Sequence, residues 1–237
     1  FDSSDFKDGN QSIVFNGTEA IQYATNSGSP DNFLNTATSS RSIAVWIKPN
    51  TLSGLQNIFD EGGNNKGIAI GLSGNNLESV IRDTGSTASN ISAIFPNDGA
   101  WHHVAMVYDG GSSIHKLYID GSEVADNGTG VPSVVASNLS YGGIGGRLSG
   151  KDSFQNDSDT AIFSGKMDAF AVSNDALSGD QINSLVKPWY LGVDNDNDGF
   201  FSNQIIINQC SSPGAGYSET VLVIDDCDDN EPLAYPG

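Results

Sequence analysis

Basic residues are scarce in this chain. Lysine and arginine number 10 in 237 residues, against 29 aspartates and glutamates, which leaves a net charge of −19. Such a surface repels nucleic acid and anionic membranes, so neither is an expected partner. It also disfavours anionic glycans unless calcium bridges them. Cysteine is nearly absent: Cys210 and Cys227 are the only two, both close to the C-terminus. No apolar run approaches the length of a membrane span, so no membrane insertion is expected. Long helical periods are missing as well. Only Ser178 to Val186, with Ile182, Leu185 and Val186 on one side, is expected to be a helix. No serine or cysteine stands in a nucleophile's setting.

What the chain does have is turns and short β-rich runs. Glycine is abundant at 28, and serine and asparagine are frequent. The most informative stretch is Trp101 to Ala125, WHHVAMVYDGGSSIHKLYIDGSEVA. Its first eight residues are mostly β-branched, aromatic or apolar on both faces, which predicts a strand covered on both sides and therefore internal to a sheet. Asp109-Gly110-Gly111 and Asp120-Gly121 then predict two tight turns, since glycine supplies the positive φ a hairpin needs. Further strands are expected at Arg41 to Pro49, Leu77 to Arg82 and Ala88 to Phe95. A hairpin is expected over Ile58 to Leu72, and Trp46 is expected in the core. Phe1 to Asn10 reads as a linker or a first edge strand.

These segments, in this order, resemble laminin-G-like domains of the concanavalin-A-like lectin and glucanase superfamily. WHHVA, YDG and LYIDGSEVA look like the central signature. IVFNG at residues 13–17, IAVWIKP at 43–49, IFDEGG at 58–63 and FSGKMDAFAV at 163–172 look like the flanking strands. Asp175 to Ser178 with Gln181-Ile182 resembles the closing helical turn. The resemblance implies an all-β fold, an antiparallel jelly-roll β-sandwich, over residues 1–187. Superfamily members that cleave β-glucans carry acids alternating along one strand, which puts the carboxylates on one sheet face. No such strand occurs here, and the nearest, Lys166 to Phe170, has one acid. His102 and His103, being adjacent on a strand, point to opposite faces and make a poor acid–base pair. No catalytic residue is expected, and the chain is not expected to be an enzyme. In many relatives a structural calcium sits on the sandwich, which would place Asp168 near Asn16 or Gly17. A fold-specific, hydrogen-bonded aspartate is the alternative for Asp168.

From residue 188 the composition changes. Asp194-Asn195-Asp196-Asn197-Asp198-Gly199-Phe200 places acids at alternate positions before a glycine, so that their oxygens converge as a hard cation requires. Phe200 would add its carbonyl. An EF-hand would place an acid at position 205, where Ile205 stands, so the missing ligands must come from elsewhere. Asp226, Asp228 and Asp229 are available. The unit resembles the metal-binding repeat of MopE-type bacterial surface proteins and, more loosely, thrombospondin type 3 repeats, in which a second acidic cluster completes the calcium shell. Glu231 stands where that repeat often has aspartate. Cys210 and Cys227 fit an intramolecular disulfide in an exported protein; a thiolate metal site is the other reading, and the surrounding carboxylates favour the disulfide. A small, loop-rich calcium-binding unit is therefore expected over residues 188–237.

The expected function is a noncatalytic, calcium-stabilised, extracellular carbohydrate-binding module, a monomeric part of a larger secreted or cell-surface protein, bacterial in type. A polysaccharide or glycan is the expected ligand. An adhesive or structural spacer that binds protein partners is the competing reading. Aromatic rings stack on sugar C–H faces while arginine and amide groups bond hydroxyls, which makes Tyr23, Arg82, Tyr141, Arg147 and Phe154 the candidate sugar contacts. For Tyr23, plugging the sandwich end is the blander role.

Overall fold

A computed structural model describes residues 1–7, 11–24, 36–63, 66–83, 88–127, 129–136, 142–146, 154, 161–186, 188–193, 203–208 and 217–218. Two six-stranded antiparallel sheets face each other. The first contains β1 (Ile13–Asn16), β3 (Ser40–Pro49), β8 (His102–Asp109), β9 (Ile114–Ile119), β10 (Ser122–Asp126) and β12 (Ser164–Ser173), in the order β1-β12-β3-β8-β9-β10. The second contains β2 (Ile21–Ala24), β4 (Leu55–Gly63), β5 (Lys66–Ser73), β6 (Asn76–Arg82), β7 (Ala88–Ile94) and β11 (Gly142–Ile144), in the order β2-β11-β4-β5-β6-β7. Helix α1 (Gly179–Ser184) follows β12. A third sheet, with order β14-β13-β15, is formed by β13 (Pro188–Val193), β14 (Asn203–Asn208) and β15 (Tyr217–Ser218). The jelly-roll expectation thus meets two packed antiparallel sheets.

Alternation explains the core. On β3, Ile43, Val45 and Ile47 point between the sheets; on β8, Val104, Met106 and Tyr108 do the same. They meet Phe59, Ile68, Ile70, Leu72, Leu77 and Ile81 of the second sheet. Each aliphatic side chain so buried contributes about 1.5–3 kcal/mol relative to leaving it in water. The other face of β8 is covered too. Ala105 and Val107 pack with Ala44 and Tyr118 beneath Ile182 of α1. Seven consecutive residues of β8, His102 to Tyr108, are buried for that reason. Ser178 starts the helix with a capping box: its side chain accepts from Gln181 N, and the Gln181 side chain bonds back to Ser178 N. The turn between β9 and β10 has φ of 49° at Asp120 and 78° at Gly121, the paired positive values of a type I′ hairpin.

Trp46 is buried as expected, at 7% exposure, but on the outer face of the first sheet and not between the sheets. Its ring packs edge-on against His103 at 5.5 Å, and Lys7 Nζ lies 4.4 Å from the ring centroid. What hides it is the N-terminal segment, which crosses this face; a period-two pattern cannot reveal such a cover. The histidines do take opposite faces. His102 packs on core Phe95 and meets Asp120 Oδ2 at 2.7 Å and Asp98 Oδ1 at 3.1 Å. Burial alone would lower its pKa, but those two carboxylates raise it. His103 is fully buried, and burial lowers its pKa to about 4.

Asp168 also sits elsewhere than expected. Asn16 pairs with Ser164, so Asp168 stands four residues further along β12 and opposite Trp46. Its carboxylate accepts from the backbone N–H of Lys7 at 2.6 Å and of Ala169 at 2.8 Å. That is the hydrogen-bonded arrangement, away from Asn16 and Gly17.

Candidate functional site

The outer face of the second sheet is built from small residues in its middle. Gly67, Ala69 and Gly71 of β5 share that face, in register with Arg82, Val80 and Glu78 of β6. Those in turn pair with Ala88, Asn90 and Ser92 of β7. The intervening residues Leu77 and Ile81 point the other way, into the core. Alternation therefore delivers Glu78, Arg82, Asn90 and Ser92 to one surface.

Phe154 comes to the same place from a distant part of the chain. A Cβ added at Gly71 would lie 3.3 Å from Phe154 Cε2 and 2.7 Å from Gln56 O. The bare glycine is what lets the ring lie against the sheet. Phe154, Glu78, Arg82, Asn90 and Ser92 line a groove of about 240 Å³ over β6 and β7. Phe154 and Arg82 are half-buried. Glu78 is also half-buried, and burial raises its carboxyl pKa against the pull of the Ser73 side chain. One aromatic ring, one cation, one carboxyl group, an amide and hydroxyls thus converge on one shallow, largely polar groove. This set can stack on a flat apolar face and exchange hydrogen bonds with hydroxyls around it; it holds no obvious nucleophile–base pair.

Of the five candidate sugar contacts, the structure brings Arg82 and Phe154 together. Tyr23 lies on β2, at the opposite edge of the same sheet. Tyr141 and Arg147 lie outside the described residues. So do Asp194, Asp196, Asp198, Phe200, Asp226, Asp228, Asp229, Cys210 and Cys227. Among the described residues, no three histidine, cysteine, aspartate or glutamate side chains gather as a metal site requires. Glu78, Asn90 and Ser92 escaped the sequence reading. The signal was present in the alternation Asn90-Ile91-Ser92, polar–apolar–polar on a predicted strand.

A second polar group lies inside the sandwich. Arg41 is fully buried; its Nη2 meets Glu61 Oε1 at 2.8 Å, and its Nη1 bonds Asn174 Oδ1. Burial pushes the Glu61 carboxyl up to about 8 despite that cation. The pair joins β3 to β4 across the two sheets.

Solved structures share this architecture. CBM40 of the Ruminococcus gnavus IT-sialidase aligns with a TM-score of 0.59 at 13% identity, over 73% of this chain and 95% of that one. Domain 4 of AbnA, a GH43 extracellular arabinanase from Geobacillus stearothermophilus solved with arabinotriose, gives 0.52 at 22% identity, over 73% and 74%. The native heptameric SAP-like pentraxin from Limulus polyphemus gives 0.54 at 19%, over 73% and 80%. At these identities the likeness is one of fold. No curated protein matches the sequence. Among the described residues no helix is long and apolar enough to cross a membrane. The Laminin_G_3 family profile matches residues 17–183, well over half of the chain. The protein therefore belongs to the Laminin_G_3 family of the concanavalin A-like lectin/glucanases superfamily.

Proposed function

We propose that the chain is a noncatalytic carbohydrate-binding module that takes a short stretch of glycan in the groove over β6 and β7. The observation that carries this reading is the convergence of the Phe154 ring with Arg82, Glu78, Asn90 and Ser92. A sugar offers an apolar C–H face and a rim of hydroxyls, and the groove offers an aromatic ring and a rim of donors and acceptors. Its volume of about 240 Å³ falls below the roughly 300–1,000 Å³ of pockets that enclose drug-sized ligands, so about one or two sugar rings fit. Two of the structural neighbours support the reading: CBM40 was solved with sialyllactose, and the arabinanase domain with arabinotriose.

The proposal divides the chain into a sandwich over residues 1–187 and a calcium-binding unit over 188–237. The family match ending at 183 and the separate sheet beginning at Pro188 support that division. Asp194, Asp196, Asp198, Phe200, Asp226, Asp228 and Asp229 would hold calcium in the second unit, with Cys210 and Cys227 joined. The sequence pattern alone supports these assignments, together with a secreted or cell-surface location. When bound, calcium would neutralise crowded carboxylates and fix the loops that carry them.

The test is a screen of soluble polysaccharides and a glycan array, run in calcium and in excess chelator. Binding that Phe154→Ala and Arg82→Ala both weaken supports the groove. Binding unchanged by either substitution moves the sugar elsewhere. No binding to any glycan in either buffer overturns the reading in favour of an adhesive or spacer module.

A further inference from the structure

The outer face of the first sheet concentrates what the chain otherwise lacks. Three of its ten basic residues, Lys7, Lys48 and Lys166, and two of its three tryptophans, Trp46 and Trp101, meet there. This face lies on the opposite side of the sandwich from the groove over β6 and β7. Lys48 and Lys166 are cross-strand partners on β3 and β12.

The chain's own acidic N-terminal segment fills the cluster. Asp5 Oδ2 accepts from Lys166 Nζ at 2.6 Å and Lys48 Nζ at 3.0 Å, while Asp5 Oδ1 accepts from the indole Nε1 of Trp101 at 2.6 Å. Lys166 Nζ also meets Asp2 Oδ2 at 2.8 Å. The backbone is held as well: Lys7 N–H donates to Asp168, and the Ser12 hydroxyl donates to Asp5 O at 2.7 Å. Both oxygens of one carboxylate are thus read by three donors, two of them cationic, while main-chain bonds fix the segment's direction. That is how a carboxylate in an extended peptide is recognised, with charge for attraction and geometry for register.

The attachment is also open to solvent and so to exchange. The lysines are 22–33% exposed in these pairs and the aspartates 24–28%, and ion pairs that solvent reaches hold only weakly. We propose that this face is a recognition site for an acidic, extended peptide segment. Residues Asp2 to Lys7 fill it in cis, and a segment of the same Asp-x-x-Asp chemistry from a partner chain fills it in trans. A tethered segment competes at an effective concentration in the millimolar range, so the partner must displace it or find it weakened.

The experiment uses the full chain carrying Asp2→Asn and Asp5→Asn, whose cis contacts are weakened. It is titrated with a capped peptide spanning residues 1–7, followed by tryptophan fluorescence and calorimetry. The expected result is saturable binding that is at least about tenfold weaker for the peptide with both aspartates changed to asparagine. High salt should weaken it further, and the unsubstituted chain should bind the same peptide at least about tenfold more weakly, because its own segment competes. Lys48→Gln with Lys166→Gln should abolish the binding. Should the doubly substituted chain not fold, Asp5→Asn alone carries the same titration. Absence of saturable binding to the folded variant overturns the proposal, as does equal affinity for the asparagine peptide. Tighter binding of polygalacturonate at the same lysines overturns the assignment to a peptide.

Discussion

His115 lies fully buried between the two sheets, towards their β7 and β10 edges, with its ring between two hydroxyls. Its Nδ1 is 2.9 Å from Ser89 Oγ, and its Nε2 is 2.8 Å from Ser79 Oγ. Burial lowers its pKa to about 3, from an ordinary 6.5. The unfolded chain therefore takes up a proton first as pH falls. The stability that depends on a neutral ring is complete above about pH 6.5 and is lost progressively as pH falls towards 3. At pH 5 the loss from this one residue is about 2 kcal/mol. Replacing His115 with glutamine removes that dependence. The stability gap between the two proteins should narrow by about 2 kcal/mol between pH 7.5 and 5 in urea titrations. A gap that stays constant would mean that the ring has the same pKa in the folded and the unfolded chain. At the groove, Phe154→Ala should weaken the tightest glycan found by about tenfold, read by calorimetry. Gly71→Ala should act on the same ring indirectly. Its new Cβ meets a backbone oxygen at 2.7 Å, which must move, so a loss of about 1–3 kcal/mol of stability should accompany the loss of affinity.

At the scale of elements, α1 is short and depends on its start and its one buried residue. Ser178→Ala removes the cap and should cost about 1 kcal/mol. Ile182→Ala opens the space over Ala105 and Val107 and should cost about 2–5 kcal/mol. Urea unfolding at neutral pH checks both; equal, negligible losses would show that the helix does not cover β8. The helix was legible in the sequence because the capping pair and the apolar side both lie within a few residues. The hairpins of β8, β9 and β10 were legible for the same reason: turn glycines and alternation are local signals. The burial of Trp46 was legible, but what buries it was not, because its cover arrives from Lys7, far away in sequence. The groove was half legible. Arg82 and Phe154 could be named as sugar contacts, but their meeting depends on the bare surface of Gly71, which alternation alone does not announce. Asp168 was misplaced near Asn16 because the strand's register, not its composition, decides its neighbours.

At the scale of the whole molecule, the net charge of −19 makes cations a lever on stability. Calcium should raise the melting temperature, and excess chelator should lower it, by more than magnesium or added sodium chloride of equal ionic strength do. Asp194→Asn with Asp196→Asn should abolish the calcium-specific part. A melting curve indifferent to chelator would remove calcium from the account. The register of the first sheet has a consequence of a different kind. Ile13 pairs with Met167, and β12, one of the last strands of the sandwich to be synthesised, stands between β1 and β3. Early-made strands therefore wait for a late one. The hairpins from β4 to β7 and from β8 to β10 can form as they emerge, but the first sheet stays open until Ser164–Ser173 has been made. Long-range pairing of this sort is slow, on the order of milliseconds to seconds. A nascent sandwich consequently carries unpaired strand edges until β12 emerges, and its exposure to misassembly is set by how quickly that strand arrives.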